Sequence, residues 1–94
     1  MDKEFSDDFW DKMKNRMMVS FHKYGAIKDS QFTHHSVVDA KKRLAKYEET
    51  GNTEWLVDCA NFCMIEFMFP LHENSHFRAT DTDESIGIKR RKNG

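Results

Sequence analysis

The chain has no excess of either charge: 15 Lys and Arg stand against 16 Asp and Glu, a formal net charge of −1 over 94 residues. No global field gathers nucleic acid or an anionic membrane, so a partner of that kind needs a local patch. Cysteine is nearly absent. Cys59 and Cys63 lie four apart inside an apolar run; they lack the two-residue spacing of zinc or redox pairs and read as reduced core residues on one helix face. The amino terminus shows no apolar signal region and no Arg-rich transit pattern, so a cytosolic address is expected. The longest apolar stretch contains Asp58, Asn61 and Glu66 and stops at Pro70, too short and too polar to span a bilayer. There is no internal repeat.

Large apolar side chains are plentiful. Eight Phe, two Trp, two Tyr and six Met occur in a chain that is 38% hydrophobic, which predicts one core built from few but bulky residues. Trp10, Met13, Met17, Phe21 and Tyr24 recur at three- and four-residue steps, after Ser6, Asp7 and Asp8 and before Gly25. The pattern predicts a first helix over Asp7 to Tyr24, capped by Ser6 and ended by a left-handed glycine. A polar connector follows from Gly25 to His35. Ser36-Val-Val-Asp39 reads as a capping box opening a second helix, Val37 to Glu49, with Val37, Ala40, Leu44 and Tyr47 inward. Its Lys41, Lys42, Arg43 and Lys46 form a solvated basic face. Asn52 or Thr53 caps a third helix, Trp55 to Phe69, which is almost wholly apolar. At about 100° per residue, Glu54, Asp58 and Asn61 share one strip that Ile65 and Met68 continue. Glu66 is left among apolar neighbours.

The predicted fold is all-α: a compact three-helix domain over residues 1–88, helix three between the other two, with an irregular carboxy-terminal segment and a basic disordered tail at 89–94. Three features could carry chemistry. Glu66 requires a partner, because an unpaired carboxylate in an apolar setting costs several kcal/mol. Arg78, His72 or His76 could pair with it and pin the segment after Pro70. In the functional reading, Glu54, Asp58, Asn61, Glu66 and Arg78 form a binding site. His72-Glu73-Asn74-Ser75-His76 fits the H-E-x-x-H pattern of zinc peptidases, with Asp81, Asp83 or Glu84 as a third ligand. That pattern needs a stable helix, and a polar turn is the favoured reading of it. Lys89-Arg-Arg-Lys92 carries charge for phosphate contacts but has no aromatic stacking platform, which favours a solubilising tail over a nucleic-acid arm.

Asp58-Cys-Ala-Asn61-Phe resembles the Asp-Val-Ala-Asn-Phe-Ala stretch of MazG-like all-α nucleotide pyrophosphatases. That resemblance implies a dimeric magnesium enzyme in which Asp58 closes a Glu-x-x-Asp motif, with Glu54 and Glu66 as further ligands. Trp55 stands where that motif has its glutamate, and the second helix lacks the companion Glu-Glu-x-x-Glu motif. A longer run is similar to small uncharacterised proteins of tailed bacteriophages. It extends from Arg43-Leu-Ala-Lys-Tyr-Glu-Glu-Thr-Gly-Asn-Thr-Glu-Trp-Leu-Val-Asp58 to Glu66-Phe-Met-Phe-Pro-Leu-His72, joined by Lys23-Tyr-Gly25, and covers about half of the chain. The resemblance supplies no activity of its own, but a phage origin favours a non-enzymatic, cofactor-free module in the bacterial cytoplasm, an inhibitor or adaptor aimed at a host defence or replication protein. The surplus of Phe, Met and Trp suits such docking, and a homodimer is another use for it.

Overall fold

A computed structural model describes residues 4–29 and 35–80, and these form three helices and no strand. They are α1, Asp7–Tyr24, α2, Ser36–Thr50, and α3, Glu54–Met68. A single 3-10 turn, Ile27–Asp29, follows α1. The all-α expectation holds, and helix three does lie between the others: α3 packs along much of α2 and along a shorter stretch of α1. Among the described residues no helix is long and apolar enough to cross a membrane. The anticipated basic tail at 89–94, with Lys89-Arg-Arg-Lys92, lies outside the described residues, as do Asp81, Asp83 and Glu84.

α1 begins and ends where the sequence places it. The Ser6 hydroxyl accepts from the Phe9 amide at 3.0 Å, and Asp7 and Asp8 set negative charge against the positive end of the helix dipole. Gly25 ends the helix at φ 82°, its amide donating to the Phe21 carbonyl at 2.8 Å. α2 starts differently from expectation. His35 occupies the cap position with no side-chain cap bond, and Ser36 is inside the helix, 3% exposed. It is a small residue on the packed face, not a capping box.

The α2 to α3 connection is three residues. Gly51 turns left-handed at φ 72° and donates to the Tyr47 carbonyl at 2.7 Å. Nothing lies within 4 Å of where its Cβ would be, so glycine is required there by backbone conformation alone. The Thr50 hydroxyl donates to the Lys46 carbonyl and accepts from the Asn52 amide. Asn52 Oδ1 in turn accepts from the Glu54 amide at 3.0 Å, which makes Asn52 the side chain that caps α3; Thr53 makes no such bond. So short a link forces α2 and α3 antiparallel and side by side.

Packing is thinner than the composition suggests. Among the described residues the buried apolar side chains are Ala40 and Val57, the buried polar ones Ser36 and Asn61, and no large side chain is fully enclosed. Along α2 the packed residues are Ser36, Asp39, Ala40, Arg43 and Tyr47, an arc of roughly 100° on the helix. The expected stripe was rotated from this one: Val37 and Leu44 are 49% and 45% exposed. On α1, Met13 and Met17 are half-buried while Trp10, Phe21 and Tyr24 remain exposed. On α3 the outermost residues include Cys63 and Phe67, so Cys63 is not in the core as expected.

Candidate functional site

The strip of α3 that carries Glu54, Asp58 and Asn61 faces α1. Asn61, 6% exposed, donates from Nδ2 to the Met13 carbonyl at 3.2 Å. A carbonyl only accepts, so the amide orientation is set and Oδ1 is left buried with no partner. One turn earlier, Asp58 forms an ion pair with Arg16 Nε at 3.4 Å from α1 and a looser one at 4.0 Å with Arg43 Nε from α2, a nitrogen that is buried without a hydrogen-bond partner. Arg16 Nη2 also meets Glu54 at 3.4 Å. Asp58 therefore ties all three helices at one point.

Arg43 is the residue that the basic face of α2 misassigned. Its guanidinium lies 5.0 Å from the centre of the Phe62 ring and 5.8 Å from that of Trp55. A cation over two aromatic faces with a carboxylate beside it gains enough to turn inward, and rotates α2 with it. Lys41, Lys42 and Lys46 stay exposed, Lys46 pairing with Glu49 at 3.5 Å.

Glu66 finds its partners in the main chain. Its Oε2 accepts from the Leu71 amide at 3.0 Å and the His72 amide at 3.4 Å. The segment after Pro70 is pinned as expected, with backbone donors in the place foreseen for a cationic side chain. Glu66 lies two turns from Asp58, roughly 12 Å along the axis, so Glu54, Asp58 and Glu66 do not converge within one chain. Arg78 is exposed in the irregular segment.

The H-E-x-x-H sequence is a turn and not a helix. The Ser75 amide donates to the His72 carbonyl at 3.1 Å, and the Asn74 amide donates to His72 Nδ1 at 3.0 Å. His76 Nδ1 lies 2.8 Å from the Asn74 carbonyl, which makes it the protonated nitrogen. Among the described residues no three His, Cys, Asp or Glu side chains gather to hold a metal ion.

Cys59 and Cys63 are free thiols. Burial pushes the Cys59 thiol above its ordinary range, and the charge and hydrogen bond of Cys63 push the same way.

Several openings lie among the described residues. A cleft of about 310 Å³ between α1 and α3 is lined by Arg16, Lys23, Arg43, Asp58 and Asn61 among others. Three cations against one carboxylate make it a poor place for a divalent metal ion. A larger opening, about 650 Å³, lies between the last turns of α1, the 3-10 turn and the end of α3. Met17, Met18, Phe21, Tyr24, Met68 and Phe69 form most of its wall, and Lys28 is the one charged residue there. No sequence motif marks this groove; the signal was compositional, a surplus of Phe and Met without an address.

Compared with family models, curated proteins and solved structures, the chain matches none.

Proposed function

We propose that this protein is a non-enzymatic protein-binding module, a small inhibitor or adaptor of the tailed-phage kind that acts on a host defence or replication protein in the bacterial cytoplasm. The observation that carries the reading is the outward flank of α2. Val37, Val38 and Leu44 are each nearly half exposed on it, with Lys41, Lys42 and Lys46 around them. Exposed apolar residues among mixed charges, Lys41, Lys42 and Lys46 with Glu48 and Glu49 and one Lys46–Glu49 pair, suit a reversible contact with another protein: the apolar area supplies affinity, and the charges supply selectivity. A phage origin, which the resemblance of the Arg43 to His72 run suggests, favours a host defence or replication protein as the target.

Against a magnesium pyrophosphatase stands the use made of the carboxylates. A metal ion at Asp58 has to displace Arg16 and Arg43, and Glu54 is also held by Arg16. The test is affinity capture from a bacterial lysate beside a variant carrying Lys41→Glu and Leu44→Glu. One host protein is expected to be retained by the native chain and lost with the variant at unchanged helicity. Absence of any enriched protein would sink the reading. So would magnesium-dependent pyrophosphate release from nucleoside triphosphates that Asp58→Ala abolishes.

A further inference from the structure

We infer that the groove between the ends of α1 and α3 is the interface between two copies of this chain. The inference stands apart from the binding-module reading, which rests on α2. It begins from what the single chain fails to bury. Ala40 and Val57 are the buried apolar residues among those described, whereas fourteen large apolar side chains there are exposed. A fully buried core of that size is small for a domain of 94 residues.

The chemistry of the groove selects the occupant. Lys28 is its one charged residue and Ser20 its one polar side chain of any other kind apart from the Tyr24 hydroxyl. Permanent interfaces between identical chains are apolar and depleted in charge, whereas transient contacts between different proteins carry about as much polar area as the rest of the surface. The long aliphatic stem of Lys28 can lie along an apolar partner and keep its ammonium at the rim.

The area is of the right order. Met18, Phe21, Tyr24 and Met68 leave 53%, 50%, 68% and 53% of their surfaces uncovered, roughly 450 Å² together for side chains of this size. That is more than half of the ~800 Å² each partner contributes to a standard stable interface. The half-buried Met17, Ile27 and Phe69 and the Lys28 stem extend the same surface. Methionine, unbranched and polarisable, lets the two copies adjust to each other across a two-fold axis.

Sedimentation equilibrium of the full chain between about 1 and 100 μM tests this. The expected mass is twice the 11.2 kDa of one chain, with a melting temperature that rises with protein concentration. A variant with Met18→Glu and Tyr24→Glu is expected to weaken the dimer by at least about 100-fold. Both side chains are more than half exposed in the single chain, so the variant keeps its fold, and helical circular dichroism at low temperature verifies that. Val38→Glu, on α2, is expected to remain dimeric. A native chain that stays at 11.2 kDa at 100 μM overturns the inference, as does a dimer that survives the double substitution. Binding of an apolar dye or an amphipathic helical peptide in the groove of a monomeric native chain overturns it as well. If lysate capture fails while the dimer holds, only the α2 reading falls.

Discussion

Replacing Asn61 by leucine should stabilise the protein, although it removes the hydrogen bond that ties α3 to α1. The native amide donates one bond to the Met13 carbonyl and buries Oδ1 without a partner. Losing the bond costs about 1 kcal/mol, while removing an unpaired buried acceptor returns about 1–3 kcal/mol. Met13 lies in the interior of α1, so its carbonyl keeps its helical partner. Two methyl groups in place of the amide add about 1 kcal/mol of burial after allowance for a compact unfolded chain. The larger side chain costs on the order of 1 kcal/mol in crowding, and the half-buried Met13 and Met17 beside it have room to yield. The balance lies between zero and about 2 kcal/mol in favour of leucine, and its midpoint of about 1 kcal/mol raises the melting temperature of a chain of this length by roughly 4–8 °C. Thermal unfolding followed by circular dichroism at fixed protein concentration measures it. Asn61→Asp serves as the control: it turns an acceptor toward an acceptor and sets a second carboxylate one turn from Asp58, and should lower the melting temperature. If Asn61→Leu lowers it by 5 °C or more while the helices persist, Oδ1 is served by a bound water and the reasoning fails.

Three further outcomes follow from the same framework. Cys63 should react with a thiol reagent at pH 8 well before Cys59, whose reaction should climb only as pH passes above the ordinary thiol range, because burial and Cys63 both hold its proton on; equal rates at pH 8 would contradict this. Glu66→Ala should leave the helical content unchanged and speed proteolysis within residues 71–80, with a loss of about 1 kcal/mol, whereas Glu66→Gln keeps an acceptor for Leu71 and His72 and should show less of the effect. Gly51→Ala should cost about 1 kcal/mol or more in denaturant unfolding, since alanine is strained at φ 72°; Gly25 offers the comparison at φ 82°.

The helices were legible because their signals are local. Ser6 before an acidic turn, Gly25 and Gly51 after apolar periods, and Pro70 after an apolar run each act within a few residues, and each bound came within one residue of its place. Rotation about the helix axes was harder to read. A stripe of Val37, Ala40, Leu44 and Tyr47 looks inward by hydropathy, yet α2 turns by a fraction of a residue step because Arg43 finds Asp58 and two rings on α3. On α3 the polar strip of Glu54, Asp58 and Asn61 was visible, but not what it faces: it turns to α1, which offers Arg16 and the Met13 carbonyl. Pairing of that kind depends on tertiary neighbours that no single segment encodes. The need of Glu66 for a partner could be foreseen, but its identity could not, since backbone amides leave no mark in composition. The apolar groove is made by the ends of two helices distant in sequence, and only the surplus that fills it was visible beforehand.

The three-residue connection at Gly51 has a consequence for how the chain comes together. Because α2 and α3 are neighbours in sequence as well as in space, their contacts close a short loop and cost little chain entropy, so the pair can form early. α1 meets α3 over a shorter length, through two half-buried methionines and a few polar bonds. Amide hydrogen exchange should therefore divide the molecule in two, with slow exchange in the α2 and α3 hairpin and faster exchange in α1, which opens as a unit of its own.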